Sequence, residues 1–149
     1  MRDYTKIEAW RLRDDLTVAV YERTRCFPRE EIYGLTSQLR RAAYSVPANI
    51  VEGAPPKRKK DYLHFLYIAR GSLSETQYFI HLARRLNYLS LEEADTLRQQ
   101  TKMAFGCLHG LIQAVEKETG RLSKVVAGVT SLIVIGLMRW SGGQLSVVS

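Results

Sequence analysis

The residues of this chain able to do chemistry are few, and their spacing does not assemble it. His64, His81 and His109 are its three histidines. No HExxH step occurs, and the only acid-x-x-His step runs from Asp61 to His64. A di-iron bundle needs two such steps and two further inward carboxylates. No metal and no other cofactor is therefore expected, and Asp61 with His64 reads as a surface or interface pair. Cys26 and Cys107 stand alone, without CxxC or a histidine at ligand spacing, the pattern of two half-buried thiols in a cytoplasmic protein. Glu92, Glu93 and Asp95 open a helix, where carboxylates match the dipole, so they are read as solvated charges rather than acid–base groups. P-loop, GxGxxG and GxSxG patterns are all missing, and no enzyme is expected.

What remains is charge. Lys57, Arg58, Lys59 and Lys60 form an unbroken basic run, with Arg40 and Arg41 upstream and Arg84 and Arg85 downstream. At the start of a helix such cations oppose the dipole, a small cost that weakly favours a use as a nucleic-acid-binding surface. A solvated charged turn is the other reading. The net charge is +7 over 149 residues. It is uneven: 13 Lys and Arg face 8 Asp and Glu in residues 1–60, 6 face 7 in 61–120, and 3 face none in 121–149. A basic balance suits a polyanion or an acidic protein, but alone it argues solubility and non-specific attraction.

The elements that must position these groups are helical. A first helix runs from Ile7 to about Arg25, with Trp10, Leu16, Val20 and Tyr21 as its apolar side, and Pro28 stops it. A second spans about Gly34 to Gly53, with Leu35, Leu39, Ala42, Ala43, Val46 and Ile50 apolar, and Pro55 and Pro56 close it. The third covers about Lys59 to Leu86, its apolar positions being Leu63, Leu66, Ala69, Leu73, Phe79, Leu82 and Leu86. Asn87 follows at a left-handed C-cap. Ser90 and Glu93 form a capping box for the fourth, which carries Leu97, Ala104, Leu108, Leu111, Ile112 and Val115 and ends at Gly120. Short turns between four helices predict an all-α, up-and-down antiparallel four-helix bundle over residues 1–120. Tyr62, Phe65, Tyr67, Tyr78 and Phe79 on the third helix could stack bases, but a stripe at this spacing is usually core or interface.

Residues 121–149 are an apolar C-terminal appendage. "VVAGVTSLIVIGLM" (125–138) is uncharged. As a helix it spans about 21 Å, short of the ~30 Å hydrocarbon core of a bilayer. Packing on the bundle or on a neighbouring subunit is the default, with Arg139 and Trp140 as anchors should it meet a membrane. "MRDYTKIEAW" has no apolar h-region, so export by a signal peptide is not expected.

Three stretches, "FPREEIYGL" (27–35), "QLRRAAYSVPANIVEG" (38–53) and "FLYIARGSLSETQYFIHLARRLNYLS" (65–90), resemble the four-helix-bundle protein family encoded in intervening sequences of bacterial 23S rRNA genes. The order and spacing of the three make the match specific. The resemblance implies a four-helix bundle, often a ring-like homopentamer with no established enzymatic activity, acting with RNA or another nucleic acid. A related bundle is the accessory protein of diversity-generating retroelements, which suggests by analogy a protein partner such as a reverse transcriptase. Arg58 stands where many members have Ser, Pro56 where they have a basic residue, and Asn87 where Gly is more usual. Residues beyond Gly120 match nothing in the family.

Pro47 lies inside the second helix, where it removes a backbone donor and clashes with the carbonyl of residue 43, so a kink is expected there. Gly71 and Ser72 on the third helix are small enough to approach such a bend. Arg41, Ser45, Asn49 and Glu52 form a polar stripe along one side of the second helix. It is either a ligand groove or, with Glu75, a hydrogen-bonded seam that fixes the subunit contact. Buried polar groups need partners, which favours the seam. The main expectation is a homo-oligomeric RNA-binding bundle, and the alternative is an oligomeric scaffold for a protein partner.

Overall fold

The computed structural model describes the backbone of residues 8–54 and 59–141 and the side chains of residues 14–54 and 60–120. Four helices are present, α1 (Glu8–Arg23), α2 (Leu35–Gly53), α3 (Lys59–Arg85) and α4 (Leu91–Ser141), with two single 3₁₀ turns, Thr24–Cys26 and Arg29–Glu31, between α1 and α2. No strand occurs among the described residues. The expected all-α bundle is what forms.

Several helix ends have a local cause. Pro28 ends the first 3₁₀ turn and leaves Phe27 buried, its ring centroid 5.5 Å from that of Tyr88. α2 is capped by Glu31, whose Oε2 accepts the Leu35 N–H at 2.8 Å. A Cβ on Gly34 would come 2.5 Å from that same oxygen, so glycine leaves room for the cap. Glu31 Oε1 meanwhile accepts the Tyr88 hydroxyl at 3.3 Å, tying the α3–α4 turn to the start of α2. Burial, followed by the negative charge of Glu31, raises the Tyr88 phenol above its usual pKa.

α3 stops at Asn87, which adopts φ 60°. The Tyr88 N–H reaches the Ala83 carbonyl (2.9 Å) and the Asn87 N–H the Arg84 carbonyl (3.1 Å), the paired bonds of a Schellman motif. The capping box is reciprocal: Ser90 N–H donates to Glu93 Oε2 at 2.9 Å, and Glu93 N–H to Ser90 Oγ at 3.1 Å.

α4 does not end at Gly120. An isolated helix glycine costs only about 1 kcal/mol against alanine, and no proline or asparagine follows it before the Ser-Gly-Gly at 141–143. The helix accordingly continues to Ser141. The chain divides within α4 into two units, Met1–Val115 and Glu116–Ser149. Expectations for Trp10, for the turn of Pro55 to Arg58, for the Lys59 side chain and for the side chains of the appendage lie outside the described residues.

The first unit contains the core. On α3, Tyr62, Leu66, Ala69, Leu73, Thr76, Ile80 and Ala83 recur at alternating steps of four and three, and all but the half-buried Tyr62 are fully buried. This is the knobs-into-holes spacing of helical bundles. Leu16 and Val20 on α1, Leu39, Val46 and Ile50 on α2, and Leu97, Leu108 and Ile112 on α4 join the same cluster. Burying each such side chain is worth about 1.5–3 kcal/mol. Thr76 and Thr101 interrupt the apolar rows without leaving a polar group stranded, because each hydroxyl donates to a carbonyl one turn back, Ser72 (2.9 Å) and Leu97 (2.7 Å). Two expected core positions face water instead: Tyr21 is 40% and Leu86 44% exposed.

Glycine packing also differs from expectation. Gly71 faces open space, where a Cβ would meet nothing within 4 Å. The close approach is at Gly53, where a Cβ would lie 2.6 Å from the Tyr62 ring and 2.9 Å from Phe65 Cβ.

Candidate nucleic-acid interface

Pro47 is buried inside α2, and its missing N–H leaves the Ala43 carbonyl without its helical donor. Thr17 on α1 supplies the replacement, its Oγ1 donating to that carbonyl at 3.1 Å. The proline thus opens a bonding position that a neighbouring helix fills. A lone threonine on an amphipathic helix carries no sequence signal for this role.

The polar stripe on the other side of α2 bonds mostly within its own helix. Ser45 Oγ donates to the Arg41 carbonyl and Asn49 Nδ2 to the Ser45 carbonyl, each at 2.7 Å. Arg41 reaches Glu75 of α3 at 3.8 Å, both side chains about half exposed, and its Nε contacts Gln38 Oε1 at 3.3 Å. An exposed pair at that distance contributes little, of order 0–1 kcal/mol. Glu52 is exposed.

The basic positions are spread along the α2–α3 hairpin and do not form one patch. Arg41 lies opposite Glu75. At 1.5 Å per residue, Lys60 is about 22 Å from that level along α3, and Arg84 and Arg85 are about 14 Å away in the other direction. Lys60 and Arg85 are exposed and form no ion pair among the described residues. Arg84 is half-buried; its guanidinium donates to Asn87 Oδ1 at 3.3 Å, while its Nε is buried without a partner. Lys57, Arg58 and the Lys59 side chain lie outside the described residues.

Arg40 is the most constrained cation. Its Nε donates to Thr24 Oγ1 at 2.7 Å, and Thr24 in turn donates to the Val20 carbonyl at 2.8 Å. The guanidinium carbon sits 4.8 Å from the centroid of the Tyr21 ring, within cation–π range. Beside it runs a groove of about 390 Å³, lined by Tyr21, Ile32, Thr36, Arg40, Arg41 and Tyr44 among others. Ile32 and Tyr44 are 51% and 46% exposed, whereas Thr36 is buried and its Oγ1 lacks a hydrogen-bond partner. Tyr21 and Tyr44 were not among the aromatics that sequence spacing singled out for stacking. Of those, Tyr62, Phe65 and Phe79 are half-buried, while Tyr67 and Tyr78 are exposed, Tyr67 lying under Arg70 at 4.9 Å.

Among the described residues no three His, Cys, Asp or Glu side chains come together as a metal site. Cys26 is exposed, not half-buried as expected, and Cys107 is half-buried. Among the described residues no helix is long and apolar enough to cross a membrane.

These features define a small all-α bundle whose surface offers cations and exposed aromatic rings. The chain belongs to the family of 23S rRNA-intervening sequence proteins, whose model matches residues 5–110. In fold it is similar to the crystal structure of a protein with unknown function from the S23 ribosomal protein family of Bacteroides thetaiotaomicron. The two share 20% identity at a TM-score of 0.65, over 70% of this chain and 95% of the other. No functionally curated protein matches it.

Proposed function

We propose that this protein is a non-enzymatic, homo-oligomeric bundle of the bacterial cytoplasm that binds RNA through its basic surface. The observation that supports this most is Arg40, a guanidinium held ready by Thr24 and Tyr21 instead of by a carboxylate. An arginine neutralised by a close acid is spent, and this one is not. Lys60 and Arg85 extend the unpaired charge to both ends of the hairpin, and the run from Lys57 to Lys60 adds to it. The family's name, which ties it to 23S rRNA intervening sequences, is in keeping with an RNA ligand. In a ring of identical subunits, pentameric by family resemblance, each cation would recur on every subunit, and avidity for a long polyanion would rise.

A second reading has its own observation. Tyr33 is 93% and the adjacent Ile32 51% exposed, and apolar side chains set together on a surface suit a protein partner, such as a reverse transcriptase. Absorbance at 260 and 280 nm, read on the purified protein before and after a high-salt wash, separates the two. Co-purifying nucleic acid released by salt supports the RNA reading. A protein free of nucleic acid at low salt, and unable to retard added RNA, favours the scaffold. Light scattering on the same sample reports the oligomer.

A further inference from the structure

We infer that the groove between α1 and α2 is a nucleotide subsite, in which one base of a single-stranded RNA stacks on Tyr44 beside the Arg40–Tyr21 pair. The inference rests on the RNA-binding reading and adds to it a place where a base, and not only a phosphate, is held.

Two independent features converge there. The first is shape: the groove of about 390 Å³ has the size of a small-molecule site, and Ile32 and Tyr44 present apolar surface to it while half exposed. The second is preorganised charge. Arg40 is fixed in place by Thr24 and Tyr21, and Arg41 stands at the rim, 3.8 Å from Glu75 and with its Nε 3.3 Å from Gln38 Oε1. An arginine plane, a tyrosine ring and a second arginine at the edge match what a nucleotide presents: a π-face and a phosphate.

The subsite is sequence-tolerant. Stacking reads no base edge, and every base has a π-face.

The test uses the full chain and two labelled probes of equal length, a mixed-sequence single-stranded RNA and an abasic ribose-phosphate oligomer, titrated by fluorescence anisotropy. The RNA should bind more tightly than the abasic strand by roughly fivefold to 150-fold, the range that stacking one base on an aromatic ring gives. Tyr44→Ala should abolish that difference while leaving abasic binding and its salt dependence unchanged. Equal affinity for the two probes, unaffected by Tyr44→Ala, would overturn the subsite and leave phosphate binding intact. Binding of neither probe at low salt would defeat the RNA reading and the subsite together. A change of oligomer size in Tyr44→Ala would assign the groove to a subunit contact and overturn the inference. Displacement of the bound strand by micromolar AMP would make a free nucleotide the ligand and overturn it as well.

Discussion

Pro47 has no N–H to offer the Ala43 carbonyl, and Thr17 takes its place from α1 at 3.1 Å. The two residues should therefore be coupled. Thr17→Val leaves a buried acceptor without a partner and is expected to destabilise by about 1–3 kcal/mol. In a Pro47→Ala background the restored N–H can serve that carbonyl, so the same change should cost less, with a coupling of about 0.5–1 kcal/mol in a urea-denaturation double-mutant cycle. Strict additivity would mean that Thr17 acts elsewhere. Glu93 gives a second residue-level expectation. The backbone and side chain of Ser90 lower its pKa first, with Arg23 adding to them against the opposing effect of burial. A carboxylate depressed in the folded state stabilises fully above its unfolded value of 4.5, and that stability is lost as pH falls through the lower folded value. Glu93→Gln keeps the capping-box geometry but cannot titrate. Its stability should fall less steeply than wild type below about pH 4.5, as read by circular dichroism melts from pH 6 to 3. Parallel pH profiles would contradict the assignment.

At the scale of elements, the two kinds of helix glycine should respond in opposite directions. Gly53→Ala pushes a methyl into the Tyr62 ring and Phe65 and should cost about 1–3 kcal/mol through overpacking. Gly71→Ala adds a methyl in open space and should stabilise by up to about 1 kcal/mol through helix propensity. Melting temperatures of the two variants check this directly, and a destabilised Gly71→Ala would restore the close packing that its small size suggests. The contrast also marks what a sequence can and cannot announce. The apolar row of α2 from Leu35 to Ile50, the Ser90–Glu93 box and the left-handed Asn87 were all legible, because each depends on neighbours within one or two turns. Glu31 as the cap of α2, with Tyr88 bonded to it across 57 positions, was not. Nor was Thr17. Such contacts are set by which helix lies beside which, and local spacing holds no record of that. The candidate site was half legible for the same reason. Arg40 and Arg41 stood out as charges, but only packing of α1 on α2 puts Tyr21 under Arg40 and opens a groove beside it. The stop at Gly120 misread a tolerable glycine as a terminator.

For the whole molecule, the core cluster of the described residues runs to Val115, where the first compact unit also ends. A chain ending at Gly120 should therefore fold with full helical signal per residue and a cooperative melt. Loss of cooperativity on truncation would make residues 121–149 part of the folding unit. Partition of the intact chain into the membrane fraction, lost on truncation, would assign those residues to a bilayer. Function is tested at this scale too, since cations spread along about 36 Å of the hairpin can act together only on a long ligand. The central claim is that this ligand is RNA, held in large part through phosphates. The most direct measurement is the affinity for labelled single-stranded RNA at several salt concentrations, for wild type and for a variant with Lys57, Arg58, Lys59 and Lys60 all replaced by Gln. The wild-type affinity should fall linearly on a log–log plot, with a slope of about −0.7 per phosphate contacted. The Gln variant should bind more weakly, with a flatter slope and unchanged helicity and oligomer size. Equal affinity and equal slope for the two proteins would leave the run as a solvated turn and assign the phosphates to the other cations. No binding, or an affinity that does not change with salt, would contradict the claim.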